Sequence, residues 1–133
     1  DCMVILCATL IGGWYGVFSA ALGAGLCDIA SGYTIYAPGT FLIKALMVAV
    51  IIIVRKFAFK SNKTLSIIVS GLGAEIVMIL GYFIYEATVL GYGMGAVMNL
   101  PFNAIQGVLN LIAASLLFAT LKKAGITKLF SDN

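Results

Sequence analysis

Four ionisable side chains stand inside long apolar stretches of this sequence: Asp28, Lys44, Glu75 and Glu86. An ionised group among apolar residues is costly unless it is paired or hydrogen-bonded. A short connection with two tyrosines separates Asp28 from Lys44, so we expect the two side chains to approach each other. Three interpretations stay open: a structural ion pair between two helices, groups that meet a polar ligand, or a Lys44 side chain that extends to the lipid headgroups.

The two glutamates share one face of a predicted helix. Glu75, Ile79, Tyr82 and Glu86 are spaced i, i+4, i+7 and i+11, which places them along one side. Tyr82 and Glu86 come near the helix end, where a ligand would reach them, whereas Glu75 is central. For Glu75, ligand contact and a structural hydrogen bond are alternatives.

Amides form a second stripe at the beginning of the last predicted helix. Asn103, Gln106 and Asn110 follow i, i+3 and i+7. Amides also hydrogen-bond between membrane helices, which is an alternative role for Asn110 in particular. Amides, tyrosines and single charges that converge from three helices at one depth are typical of a small-molecule site.

Several other chemistries lack their residues. The sequence contains no histidine, which is the usual general base and the commonest transition-metal ligand. Its three cysteines lack CxxC spacing, and no nucleophile–base pair stands out, so we expect neither an enzyme nor a metal or other cofactor. The basic residues form no stripe that would bind nucleic acid. The glycine-rich segment 90–96 lacks the GK[ST] of a phosphate loop and suits a flexible gate instead.

The composition places the chain in a lipid bilayer. Hydrophobic residues make up 62% of the 133 positions and charged residues only 10%, with a mean hydropathy of +1.13. A soluble domain carries about 25% charged residues. The charged residues here are too few to cover a water-soluble surface.

Residues 1–133 are predicted to form a single transmembrane domain, an all-α polytopic helical bundle. The five predicted helices span about 2–11, 14–30, 40–54, 65–86 and 102–121. A bilayer core of about 30 Å needs roughly 20 apolar residues per helix, so the first helix is too short to cross unsheltered. Gly12 and Gly13 separate it from the second helix, and residues 88–100 are expected to be a loop.

The basic residues predict an orientation. Seven of the eight lie in 55–63 or 122–128, and these regions share one side of the membrane if the last three helices each cross it. The positive-inside rule then makes the basic loop 55–63 and the C-terminal tail cytoplasmic. Segments 31–39 and 88–100, which contain no lysine or arginine, would face outside.

Two motifs resemble a known family. The run LCDIASGYTIYAPGTFLIK from Leu26 to Lys44, together with Asn103-Ala-Ile-Gln106-Gly, is similar to the substrate-binding S components of energy-coupling factor vitamin transporters. The resemblance covers essentially the whole chain and is to the riboflavin-type branch, which includes pyridoxine-like and hydroxymethylpyrimidine-like members.

The resemblance implies a multi-pass protein of the bacterial cell membrane with six helices. Because five are predicted here, it implies that the first family helix is missing from this chain, and with it an AxxxA contact to the coupling subunit. It also implies partners: a small-molecule vitamin, a membrane coupling subunit (T component) and two ATPase subunits that hydrolyse ATP.

These lines of reasoning predict a high-affinity vitamin-binding membrane subunit, with pyridoxine or hydroxymethylpyrimidine favoured. A riboflavin-binding member of the family and a non-transporting structural membrane subunit are the alternatives. The pocket is expected to draw on seven residues from four helices and the loop after the second: Asp28, Tyr36, Lys44, Tyr82, Glu86, Asn103 and Gln106.

Overall fold

The structure, a computed structural model, describes residues 1–57 and 63–127. Within these residues the fold is all-α and contains no strand, which confirms the predicted fold class. The five α-helices are α1 (Cys2–Leu10), α2 (Gly13–Ala30), α3 (Ala37–Phe57), α4 (Lys63–Ile84) and α5 (Leu100–Lys123). A π-helical turn (Tyr85–Val89) continues α4, and a 3-10 helix (Gly93–Asn99) leads into α5.

The short helix α1 lies at the centre of the bundle. It packs against each of the other four α-helices, and Ile5 at its middle has no exposed surface. Met47 and Ile51 of α3 and Met78 of α4 complete the core around it. This burial supplies the shelter that so short an apolar helix needs.

Two glycines turn the chain back between α1 and α2. Gly12 and Gly13 have φ values of 64° and 52°, a region that side chains with a Cβ rarely enter. After the turn, a Cβ added at Gly16 would lie 3.1 Å from the Cys7 carbonyl oxygen, so the two helices touch closely there. The predicted break between the first two helices therefore falls at the expected glycines.

Three stretches are long and apolar enough to cross a membrane: Ala37–Phe57, Leu65–Val89 and Gly93–Lys123. Each presents large exposed apolar side chains to the outside of the bundle, for example Leu42, Leu80 and Ile105. An apolar exterior around a packed interior is the surface that a bilayer requires. The chain is thus a membrane-embedded helical bundle.

Most observed helix ends lie within three residues of the predicted ones, and two differences affect the site. Helix α3 begins at Ala37 rather than at Thr40, because Pro38 fits within a first helical turn, where its missing N–H costs nothing. The predicted loop 88–100 is largely helical, since residues 88–89 end the π-helical turn, Gly93–Asn99 form the 3-10 helix and Leu100 begins α5. Residues 58–62 of the predicted basic loop and the tail from Lys128 lie outside the described residues.

Candidate ligand-binding site

Two adjoining cavities lie at one end of the bundle. The larger has a volume of about 580 Å³ and the smaller about 310 Å³. They share four lining residues, so they form one continuous recess: Asp28, Thr40, Tyr82 and Gln106. Ligand pockets typically measure about 300–1,000 Å³, a range that includes both cavities.

All seven predicted pocket residues line this recess. They come from the end of α2, the turn before α3, the first turns of α3 and α5, and the region where α4 passes into the π-helical turn. Lys44 lines the larger cavity, while Tyr36, Glu86 and Asn103 line the smaller one. Asp28, Tyr82 and Gln106 line both.

The ion pair of Lys44 is not the one considered from the sequence. Lys44 Nζ pairs with the carboxylate of Asp1, and Gln106 Nε2 donates a hydrogen bond of 3.1 Å to the other oxygen of that carboxylate. Lys44 Nζ also lies 5.1 Å from the centre of the Tyr82 ring, a cation–π distance. Asp1 thereby joins α3 to α5 on the wall of the larger cavity.

Asp28 is left with a free acceptor. Its Oδ2 is buried and has no hydrogen-bond partner among the described residues. A buried polar atom normally has a partner, so an unsatisfied oxygen on the wall of a cavity is a candidate contact for a ligand or water. Asp28 is therefore a wall residue with a buried oxygen available to accept a hydrogen bond.

Glu86 is held in place by Asn99. The glutamate is 5% exposed and lies in the π-helical turn, a distortion that is frequent at functional sites. Asn99 Nδ2 donates a hydrogen bond of 2.8 Å to Glu86 Oε2, and the Tyr92 amide donates one of 3.0 Å to the Glu86 carbonyl. The 3-10 helix and Tyr92, which precedes it, thus hold Glu86 in place.

Tyrosines form the rim of the smaller cavity. The Tyr36 ring lies 6.3 Å from Tyr33 and 6.4 Å from Tyr85 between centroids. The Tyr85 hydroxyl donates a 2.7 Å hydrogen bond to the Ile35 carbonyl, which ties the π-helical turn to the segment before α3. Burial, followed by the neighbouring Tyr92 and Glu86, raises the pKa of Tyr36 to about 12, so its hydroxyl stays protonated at physiological pH.

Glu75 and Asn110 lie outside the lining of the recess. Glu75 is buried with both carboxylate oxygens unpartnered among the described residues, and it lies against Gly107 of α5. Asn110 Oδ1 accepts a hydrogen bond of 3.4 Å from the Cys2 amide, the structural role considered for it. Neither residue faces the two cavities, so neither belongs to the candidate site.

A comparison with protein families decides the identity. A family model described as the ECF-type riboflavin transporter, S component, matches residues 1–123. The chain belongs to this S-component family. It is accordingly a substrate-binding membrane subunit of an energy-coupling factor (ECF) vitamin transporter, and this family consists of transporter subunits rather than enzymes. No curated protein and no solved structure matches the chain.

Three polar residues that contribute to the recess of this S component or support it were not predicted from the sequence: Asp1, Thr40 and Asn99. Thr40 shares a 2.9 Å hydrogen bond with the Tyr82 hydroxyl. It lies within the Leu26–Lys44 motif that resembles the family, and this position could have indicated it. Asp1 precedes α1 and Asn99 lies in the segment predicted as a loop, so helical periodicity gave no signal for either.

The small residues of α2 in this S component serve two purposes. Gly16 and Ala20 are buried, and Gly16 packs against α1 as expected for a small-residue stripe. Gly23 and Cys27 continue the same stripe, and together with Ala20 they line the larger cavity. The stripe therefore contributes both to helix packing and to the space of the recess.

Proposed function

We propose that this S component captures a small heteroaromatic vitamin or precursor in the recess, with pyridoxine or hydroxymethylpyrimidine as the favoured ligand. One observation carries the proposal: seven polar or aromatic residues that are rare in the sequence line two adjoining cavities. The family supplies the substrate class, a vitamin.

The size and polarity of the smaller cavity support a small ligand. Its volume of about 310 Å³ is near the lower end of the range for ligand pockets, roughly 300–1,000 Å³. Three tyrosines line it together with two carboxylates and two amides. One six-membered ring with hydroxyl or amino substituents suits such a space, because the rings offer stacking surfaces and the polar groups surround them.

Each polar residue then has a proposed role. The rings of Tyr36 and Tyr82 stack on the heteroaromatic ring. Asp28 accepts a hydrogen bond from a donor on the ligand, and the amides of Asn103 and Gln106 pair with ring nitrogens and hydroxyls. Glu86 also accepts a hydrogen bond from a ligand donor, and Lys44 sets the electrostatic environment of the larger cavity.

The recess is proposed to open to the outside of the cell. Its residues lie near the beginnings of α3 and α5, whereas Arg55, Lys56, Lys122 and Lys123 occupy the last turns of those two helices. Under the positive-inside rule the basic ends are cytoplasmic, so the opposite end faces outward in a bacterial cell membrane. Arg55 Nη1 also donates a 3.0 Å hydrogen bond to the Thr9 carbonyl near the end of α1, a favourable place for a cation.

Energy for uptake is proposed to come from partner subunits. The sequence contains no nucleotide-binding motif, and the family assembles with a membrane coupling subunit and ATPases. We propose that the vitamin-loaded S component delivers its ligand through one T component and two ATPase subunits.

Riboflavin is the second candidate. The matching family model carries riboflavin in its description, and the two cavities together offer a longer space than either alone. A fused three-ring ligand with a polyol chain would have to extend through both, from Tyr36 at the rim to Lys44. The ligands therefore differ in how much of the recess they occupy.

Equilibrium titration of the purified protein with pyridoxine, hydroxymethylpyrimidine and riboflavin tests the proposal. We expect sub-micromolar binding of one of the two smaller compounds, about tenfold or more tighter than riboflavin. Tighter binding of riboflavin would establish the second candidate. Absence of binding by all three down to low micromolar affinity would refute the proposed function.

A further inference from the structure

We propose that the Asp1–Lys44 ion pair makes the recess select the free vitamin over its phosphate ester, so that Asp1 is a specificity-determining residue. The proposal rests on the proposed function, because it concerns the ligands of the same recess. It assigns a role to a residue that lies before the first helix and that the sequence did not single out.

The charges on the cavity walls are unequal. Among the side chains of the described residues that line the two cavities, those of Asp1, Asp28 and Glu86 are carboxylates and that of Lys44 is the single cationic one. The side chains on the walls therefore carry two carboxylates in formal excess. A phosphate ester brings about 1.5 to 2 negative charges into this environment, and charges of like sign repel strongly where water is scarce.

The one cation is already used inside the protein. The side chains of Lys44 and Asp1 are 6% and 2% exposed, and they pair with each other. The Tyr82 ring lies beside the ammonium, and Gln106 binds the second oxygen of Asp1. A phosphate that recruited Lys44 would leave the Asp1 carboxylate buried without its cation, which is strongly unfavourable.

No other described side chain near Lys44 offsets this negative excess. Glu75 acts on Lys44 electrostatically from behind the recess and adds a further carboxyl group. Arg55 lies at the far end of α3, bound to the Thr9 carbonyl. The Asp1–Lys44 pair thus disfavours anionic ligands by keeping neutralised the only cationic side chain among the described lining residues, a form of selection by unfavourable contacts.

Replacing Asp1 by Asn tests this directly, because it frees Lys44 while keeping the shape of the side chain. The probes are pyridoxine and pyridoxine 5′-phosphate, hydroxymethylpyrimidine and its phosphate, and riboflavin and riboflavin 5′-phosphate. Of these three vitamins with their esters, the measurement uses the vitamin that the wild-type protein binds, together with its phosphate ester. The quantity compared is the affinity ratio, the dissociation constant of the ester divided by that of the parent vitamin. We expect this affinity ratio to be at least about ten in the wild-type protein and to fall by about tenfold in Asp1→Asn.

A double variant provides the matched control. Asp1→Asn combined with Lys44→Met removes both charges, so the ester should again be rejected as in the wild-type protein. If Asp1→Asn does not fold, Asp28→Asn takes its place, because it removes a wall carboxylate whose Oδ2 has no described partner. This variant should lower the affinity ratio of ester to parent vitamin by about threefold.

Three results are informative. Equal affinity of the wild-type protein for parent and ester would overturn this inference but leave the proposed function intact. The inference would also be overturned if every folded single variant had the same affinity ratio of ester to parent vitamin as the wild-type protein. If no parent vitamin binds, the proposed function fails and the inference fails with it.

Discussion

At the scale of single residues, most of the polar side chains at the recess have a polar partner from another element. Lys44 pairs with Asp1, Glu86 with Asn99, and Tyr82 with Thr40. These partners explain how charged and polar groups are tolerated inside an apolar bundle. Asp28 Oδ2, which has none among the described residues, is a buried acceptor left for a ligand.

The candidate residues were predictable, but their partners were not. Asp28, Lys44 and Glu86 stand out because an ionisable group is rare in an apolar helix. Asp1 and Asn99 come from segments without helical periodicity, and only tertiary packing brings them to the recess. Rarity therefore identifies a polar residue, whereas its partner depends on how distant segments meet.

Gly39→Ala tests the contact that positions the tyrosine rim. A Cβ at Gly39 would lie 2.8 Å from ring atoms of Tyr85, whose hydroxyl is bound to the Ile35 carbonyl. Overpacking of this kind lowers stability by about 1–3 kcal/mol unless the Tyr85 ring moves. Because that ring lies beside Tyr36 of the smaller cavity, we expect its displacement to lower vitamin affinity by roughly tenfold.

Gly95→Ala is the control for that variant, because a Cβ there meets no atom within 4 Å. It should bind the vitamin as the wild-type protein does in the same equilibrium titration. Unchanged affinity in Gly39→Ala would show that the Tyr85 position does not matter for binding.

At the scale of elements, local irregularities shape the recess. The π-helical turn presents Glu86 to the smaller cavity, and the 3-10 helix brings Asn99 within hydrogen-bond distance of Glu86. The long helices were predictable from their apolar lengths. The 3-10 helix was not, because its glycines suggest a loop, while backbone bonds such as the one of 3.0 Å from the Gly95 amide to the Tyr92 carbonyl form it locally.

The glycine turn between α1 and α2 gives a prediction about stability. Gly12 has φ 64° and ψ −172°, a region essentially restricted to glycine, so Gly12→Ala should lower the free energy of unfolding by about 1–3 kcal/mol. Thermal unfolding in detergent, followed by circular dichroism, measures the effect.

Gly23→Ala serves as its control within α2. A Cβ at Gly23 meets no atom within 4 Å, and alanine favours a helix over glycine by about 1 kcal/mol. This variant should be as stable as the wild-type protein or more so. Equal stability of Gly12→Ala and wild type would mean that the turn is not under the constraint described.

At the scale of the whole molecule, the bundle has two chemically different ends. The recess with its carboxylates, amides and tyrosines occupies one end. The basic last turns of α3 and α5 and the exposed Trp14 and Tyr15 occupy the other. Charge distribution along the sequence was sufficient to predict this polarity, whereas the depth and volume of the recess required the packed structure.

The proposed orientation predicts which segments reagents can reach. In a variant without native cysteines, Thr34→Cys should react with a membrane-impermeant maleimide added to intact cells. Lys123→Cys, at the basic end of α5, should react only after the membrane is permeabilised. The reverse pattern would contradict an outward-facing recess.

The most direct measurement compares vitamin affinity and folding in three alanine variants of the recess: Glu86→Ala, Asn103→Ala and Gln106→Ala. If these side chains contact the ligand, each protein should remain folded, with an unchanged elution volume in size-exclusion chromatography, while its affinity for the identified vitamin falls by about tenfold or more. Loss of folding, or wild-type affinity in all three folded variants, would contradict the account and return these residues to a purely structural role.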